Sequence, residues 1–360
     1  MKKKLKIAAF CTNELPTPPP PNTFYAPLWV AYHIAEELAK RGHKVFYFGS
    51  KESKLKYARL VSLGMPALKN NKQLQPFLPY INEKVVNFYE QLMLSKIYQM
   101  DQKEKFDIIH IHPYRRCIPF APLTKTKTVI TIHDPIKGFH KYQLSWTKKF
   151  PQIYLISLSD AQRKPAPNLN YAGTCYNGID LNKFQFNPLP ENYFAAAGRF
   201  VPEKGIDLAI LAAKKAGVKL KIAGGLAKGR YFEKKIKPFL GKNIEYAGML
   251  EYNKLGEFYG RAKGFLAPLQ WEEPFGLFFI EAMVCGTPVI AFDRGSAKEV
   301  IKDGKTGFIV KNINEMVKAI KRIDEIKRSE CRKRVEENFS IEKMAESYEK
   351  TFFKILKPAP

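Results

Sequence analysis

Acidic residues are scarce in this chain. Against 60 Lys and Arg stand 34 Asp and Glu in 360 residues, a formal net charge of +26 at pH 7. The shortage is deeper in residues 1–190, with 28 basic against 12 acidic residues (net +16), than in residues 191–360, with 32 against 22 (net +10). Such a field favours anionic partners: a membrane surface, a nucleic acid or phosphorylated substrates. A lysine-rich proteome or thermal adaptation produces the same composition. Cysteine is sparse too. Cys11, Cys117, Cys175, Cys285 and Cys331 are scattered, odd in number and without a Cys-x-x-Cys pair, so they suggest neither a disulfide framework nor a zinc site. Long apolar runs are missing. After the basic Met1-Lys2-Lys3-Lys4 comes only Ile7-Ala8-Ala9-Phe10, too short for the core of a signal peptide and far short of a membrane span, so the expected location is the cytoplasm. Neither a repeat nor a heptad run occurs. What is there is ordinary globular composition, 45% hydrophobic and 26% charged, over a length that suggests two domains.

Residues 270–290 organise the rest. Pro274 and Gly276 mark a turn, residues 277–285 form an apolar run with one acid inside it, Gly286 suits a helix stop, and residues 289–291 open a strand. An acid inside such a run is costly without a partner, so Glu281 is expected to point along the helix towards a polar ligand. Glu273 falls in the loop before the helix N-terminus, where Gly276 and Leu277 offer free N–H groups to an anion. The alternative for these residues is a partnered acid on a core helix behind an ordinary acidic first turn.

Taken in order, residues 4–10 read as a buried strand, 27–41 as a helix with proline in its first turn, and 44–48 as a second strand. The loop 11–26, with Pro18-Pro19-Pro20-Pro21, lies at the carboxyl end of a strand, where open α/β sheets bind ligands. Residues 82–100 carry Val85, Val86, Phe88, Tyr89, Leu92, Leu94, Ile97 and Tyr98 at the spacing of a helix packed on a sheet. Two short apolar runs, 106–112 and 128–134, end in histidine, which puts His112 and His133 just past strand ends and facing the crevice. Residues 137–150 interleave Lys137, His140, Lys141, Lys148 and Lys149 with Phe139, Tyr142, Trp146 and Phe150. That mixture suits a membrane interface; its alternative is a solvated helix face with the aromatics turned inward. Residues 186–190 read as a linker. The second half restarts the alternation with a strand at 193–197, a loop at 198–205, a helix at 206–216 and a strand at 219–223, and so predicts a second doubly wound sheet. Arg199 and Lys204 lie in its first crevice-side loop, where a phosphate would find a guanidinium and an ammonium together.

Glu273 and Glu281 enclose seven residues, with Pro274-Phe275-Gly276 among them, and Gly198-Arg199 precedes Lys204-Gly205. In these motifs, and in Thr131-Ile132-His133-Asp134 and Tyr176-Asn177-Gly178-Ile179-Asp180, the chain resembles the retaining glycosyltransferases of family 4, in the group of glycogen synthase and phosphatidylinositol mannosyltransferase. The resemblance implies an α/β GT-B fold, two Rossmann-like doubly wound domains facing across a cleft. Residues 1–187 would form the acceptor side, with a C-terminal helix at about 341–360 packed back on it, and residues 188–340 the donor side. It also implies roles. Arg199 and Lys204 would bind the donor diphosphate, Glu281 the ribose, and Glu273 the transferred sugar, with His133 beside that sugar at the reaction centre. Gly248, Met249 and Leu250 would hold the base, and the Phe275-Gly276-Leu277 turn would meet the phosphate. No Asp-x-Asp motif occurs, which agrees with a metal-independent reaction without a cofactor. The first loop departs from the family, reading Pro21-Asn22-Thr23-Phe24-Tyr25-Ala26-Pro27 where a Gly-Gly pair is common.

The activity this implies is transfer of a hexose from a nucleotide-diphosphate sugar to an acceptor, a lipid or a glycan, by an enzyme of the cytoplasm that also docks on the inner face of the membrane. The alternatives are a sugar-nucleotide epimerase or a phosphorylase of the same fold, and a non-catalytic basic protein that binds nucleic acid. For the last, charge is the only support, because no nucleic-acid module is recognisable.

Overall fold

The computed structural model describes residues 3–20, 23, 25–74, 83–225 and 229–357. Pro21, Asn22, Phe24 and Asn82, which the readings of the first loop and of the 82–100 helix include, lie outside the described residues. The chain divides into two compact units. Met1–Leu158, Arg163–Tyr176 and Met344–Pro360 make the first, and Ser159–Gln162 with Asn177–Lys343 the second.

The first unit is built on a parallel sheet of β1 (Lys6–Phe10), β2 (Lys44–Phe48), β3 (Arg59–Val61), β4 (Ile108–Ile111), β5 (Lys127–Thr131), β6 (Ile153–Ser157) and β7 (Tyr171–Thr174). Their order is β3-β2-β1-β4-β5-β6-β7. A parallel sheet is covered on both faces, which is why its central strands are buried apart from Lys6 and Lys127 at the starts of β1 and β5. The helix Glu83–Glu104 covers part of it with Tyr89, Met93, Leu94, Ile97 and Tyr98. Phe88 and Leu92 are exposed instead, so its apolar stripe is narrower than the sequence predicts. The sequence reading assigns no strand to β3 or β7. Both are short edge strands, and three or four residues carry too little periodicity to be seen.

The second unit repeats the plan with β8 (Phe194–Ala197), β9 (Leu220–Ala223), β10 (Ile244–Tyr246), β11 (Gly264–Ala267), β12 (Val289–Phe292) and β13 (Gly307–Val310). They run parallel in the order β10-β9-β8-β11-β12-β13. Strand order reverses direction between β8 and β11, and a doubly wound sheet takes its ligand outside the carboxyl ends of the strands at such a point.

The boundary differs from the expected one at 187, because residues 177–187 pack with the second unit. Phe184 is buried with its ring against Tyr252, the Asn187 N–H donates to Cys285 O at 3.0 Å, and Arg332 donates to Phe184 O at 2.8 Å. The expected linker at 186–190 is therefore in part a packed strap. At the other end, the helix Ile341–Leu356 joins the first unit from Met344 onward. Tyr348 and Phe352 pack edge-on or tilted against His110, and Glu349 Oε1 lies 2.9 Å from His43 Nε2.

Candidate functional site

In the second unit the loops after β8 and β11 straddle the reversal point. The first of them ends in the turn Pro202–Lys204, closed by Gly205 at φ 65°. A Cβ on Gly205 would overlap the carbonyl oxygen of Pro268, so only glycine lets the two loops approach this closely. Gln270 N–H donates to Glu203 O at 2.9 Å and ties them together. Across this junction Lys204 Nζ donates to Glu273 Oε2 at 2.7 Å, and Trp271 Nε1 donates to the same oxygen at 3.1 Å. The ammonium also sits over the rings of Trp271 and Phe278, 4.7 and 5.0 Å from their centroids. Glu273 is buried, and Ser296 N–H fixes its backbone by donating to Glu273 O at 3.0 Å.

The helix Leu277–Val284 starts beside this pair. Its first residue follows Gly276 at φ 78°, and no side chain caps its N-terminus, which leaves N–H groups of the first turn to meet an anion. Phe275 is buried against the ring of Phe339, at 5.7 Å between centroids, so the turn is anchored from below. Glu281, one turn in, is buried and accepts a hydrogen bond from Tyr259 Oη at 3.3 Å. Burial pushes its carboxyl up to about 7, with the Tyr259 hydrogen bond opposing. Around the same crevice Arg199 is exposed and pairs with no carboxylate among the described residues. Gly248 O accepts from Gly224 N–H at 3.0 Å, Met249 is exposed and Leu250 half-buried. Thus Lys204, Glu273, Phe275, Gly276 and Leu277 form one constellation. Arg199, Gly248, Met249, Leu250 and Glu281 belong to the same unit without direct bonds to it.

His133 lies in the first unit, two residues past the end of β5. His112, one residue past β4, places Nδ1 2.7 Å from His133 Nε2, with the rings stacked at 5.0 Å and 20°. His110 continues the column at 4.6 Å from His112 and bonds Thr131 Oγ1 at 2.9 Å. Burial lowers all three: His133 to about 4, His110 to about 3, and His112 well below the usual range. All are neutral at physiological pH, so one N–H serves the His112–His133 contact.

Sequence reasoning missed several partners. Trp271 stands two residues before Glu273 and could have been suspected, whereas Tyr259 on the helix Tyr252–Gly260 gives no signal beyond an ordinary core residue. Gly295 at φ 53° is a third. A Cβ there would overlap the backbone of Glu273, and its position just past β12 was the clue. In the first unit, Thr12 just past β1 donates to Glu90 at 2.7 Å, Arg116 pairs with the same carboxyl, and burial raises Glu90 to about 7. The signal for Glu90 was an acid within the apolar stripe of its helix.

Residues 29–164 match the family model described as Glycosyltransferase Family 4, and residues 179–340 the one described as Glycosyl transferases group 1. An uncharacterized glycosyltransferase of Methanocaldococcus jannaschii is 29% identical over 259 residues, covering 66% of this chain and 70% of the relative. Among solved structures, sucrose-phosphate synthase from Thermosynechococcus elongatus is similar with a TM-score of 0.76 at 19% identity, over 97% of this chain and 99% of that one. The Anabaena protein HepE in complex with UDP-glucose is similar with a TM-score of 0.67 at 15% identity, over 97% and 99%. At such identities the structures speak to the fold alone, two parallel-sheet Rossmann-like domains of the GT-B class. Family models match the greater part of both units, and by these matches the chain belongs to glycosyltransferase family 4.

Proposed function

We propose that the protein is a retaining glycosyltransferase that moves a hexose from a nucleotide-diphosphate sugar to a lipid or glycan acceptor without a metal ion. The observation that carries this reading is the Lys204–Glu273 pair, set at the reversal point of the second sheet beside an uncapped helix N-terminus. A diphosphate arriving there would meet Lys204, Arg199 and the N–H groups of Gly276 and Leu277. As the bond from the sugar's anomeric carbon to the phosphate oxygen breaks, negative charge grows on the leaving group. Cations and dipoles already fixed in place stabilise that charge more than they stabilise the bound donor. Lys204 and Arg199 supply the positive charge that a metal ion supplies in other transferases. Glu273, freed from Lys204 by the incoming phosphate, accepts hydrogen bonds from the sugar hydroxyls, and Trp271 keeps its carboxylate oriented. Glu281 receives the ribose hydroxyls and the backbone at 248–250 the base. The UDP-glucose bound to HepE is a donor of the class this arrangement fits. His133, in the first unit, carries a neutral ring, the state in which an imidazole can both donate to and accept from a sugar hydroxyl.

The test is a screen of UDP-, GDP- and ADP-sugars read by released nucleotide, followed by the anomeric configuration of the product by NMR. Arg199→Ala and Lys204→Ala are each expected to lower turnover by about two orders of magnitude or more, because each removes a charge-assisted contact that strengthens in the transition state. Near-normal rates in both folded variants would sink the assignment, and an inverted product would sink retention. The same screen separates the alternatives. An epimerase changes the donor's sugar without net nucleotide release, a phosphorylase acts with inorganic phosphate rather than a nucleotide sugar, and a nucleic-acid-binding protein turns over no donor.

A further inference from the structure

The helix Gly138–Ser145 of the first unit and the turn Trp146–Lys149 after it bury Leu144 in the core but turn their aromatic residues outward. Phe139, Tyr142 and Trp146 recur at a spacing of three and four residues and so share one face, and that face is turned outward: they are 69%, 57% and 45% exposed. The rings form a continuous row, Phe139 stacked on Tyr142 at 5.9 Å and 17°, and Tyr142 edge-on to Trp146 at 6.4 Å. Polar groups are turned inward in their place. His140 Nδ1 and Gln143 Oε1 are buried without a hydrogen-bond partner among the described residues. Folding alone gives no reason to expose three aromatic rings while burying two unsatisfied polar atoms. A second phase that covers the rings does.

The charge around the row says which phase. Lys137, Lys141, Lys148 and Lys149 are all exposed at its ends and flank. No Asp or Glu occurs between Asp134 and Asp160, so the segment carries four positive charges and no negative one. Aromatic rings at headgroup depth beside lysines that reach anionic lipid are the composition of a membrane interface, whereas a protein partner surface is depleted in lysine at its core. Among the described residues no helix is long and apolar enough to cross a membrane, so the contact is peripheral.

We infer that the Phe139–Tyr142–Trp146 row with its four lysines docks the first unit on an anionic bilayer, reversibly and independently of the sugar chemistry. Flotation tests it, using the full chain with neutral phosphatidylcholine vesicles and with vesicles that also contain phosphatidylglycerol. Recovery on the anionic vesicles at low salt is expected to exceed that on neutral ones about tenfold and to fall at high salt. A triple variant, Phe139→Ser, Tyr142→Ser and Trp146→Ser, changes only exposed side chains, and a second, Lys141→Glu with Lys148→Glu, reverses charge without touching the rings. Both are expected to lose most of the recovery while nucleotide release from the donor in solution is unchanged. Equal recovery on neutral and anionic vesicles overturns the inference. So does full recovery of the triple variant, which would assign binding to diffuse charge. Concentration-dependent dimerisation by ultracentrifugation, lost in the triple variant and without vesicle binding, overturns it in favour of a second copy of this chain.

Discussion

At neutral pH Glu281 is balanced between its acid and its carboxylate, because burial raises it from the ordinary glutamate value of 4.5 to about 7. The folded chain therefore holds this proton more tightly than the unfolded chain. Below about 4.5 the buried charge costs nothing, and as pH rises through 7 the cost becomes complete. Glu281→Gln should accordingly raise Tm at about pH 8 and change it little at about pH 5, as calorimetry would show. The same variant should flatten a binding profile. If ribose hydroxyls donate to this carboxylate, affinity for the free nucleoside diphosphate rises through neutrality in the native chain and stays level and weaker in Glu281→Gln. Glu273→Gln should leave that affinity nearly unchanged and act through the sugar; the reverse order would exchange their roles. His112 offers a finer test. Its Nδ1 shares one proton with His133 Nε2, so the tautomers of the two rings are set together, and the side-chain nitrogen of asparagine falls near Nδ1 whereas that of glutamine falls near Nε2. His112→Asn should keep most of the turnover, and His112→Gln and His112→Phe should lower it about tenfold at unchanged donor KM. Equal losses in all three would reduce His112 to packing. Glu281 and His133 were legible in the sequence because each interrupts a pattern, an acid in an apolar run and a histidine closing a strand. Tyr259 was not, since an aromatic that positions a carboxylate looks the same in sequence as one that fills a core, and for Trp271 the only signal was its place two residues before Glu273.

Among elements, the loops at the sheet's reversal point depend on backbone shapes that a side chain forbids. Gly205→Ala forces a left-handed backbone on a residue with a Cβ and drives that Cβ into Pro268 O, which should cost about 2 kcal/mol or more. Because Lys204 is the neighbouring residue, donor KM should rise along with the lowered urea midpoint. A loss of stability with unchanged KM would show that the loop is not what holds the ammonium. The alternation of strands and helices was legible because buried parallel strands are nearly pure apolar runs. The edges were less so. β3 and β7 are too short for periodicity to show, and 186–190 reads as a linker although Asn187 is tied to the second unit and Phe184 just before it is buried there. The helix Gly138–Ser145 is the instructive case, since its spacing fits an inward aromatic face as well as an outward one, and only the fold decides between them.

Across the whole molecule the two units are unequal in how they are made. The second is one long stretch, Asn177–Lys343, with a four-residue segment added, while the first is assembled from three pieces. Its last piece is not ornamental. Glu349 partners buried His43, whose Nδ1 accepts from Leu5 N–H at 3.0 Å, and Tyr348 Oη lies 3.1 Å from Thr131 Oγ1 in the histidine column. Glu349→Ala leaves the His43 ring without its partner and should cost about 1–3 kcal/mol, read as a downward shift of one calorimetric transition while the other stays in place. A single transition moving as a whole would mean that the units unfold as one. The order of the pieces also matters while the chain is being made. Residues 344–357 follow every residue of the second unit, so the first unit, though nearly all synthesised earlier, must wait for them with the His43 and His110 surface of its sheet uncovered. The unit begun first is finished last, and in that interval the uncovered face of its sheet is a surface for a chaperone to shield.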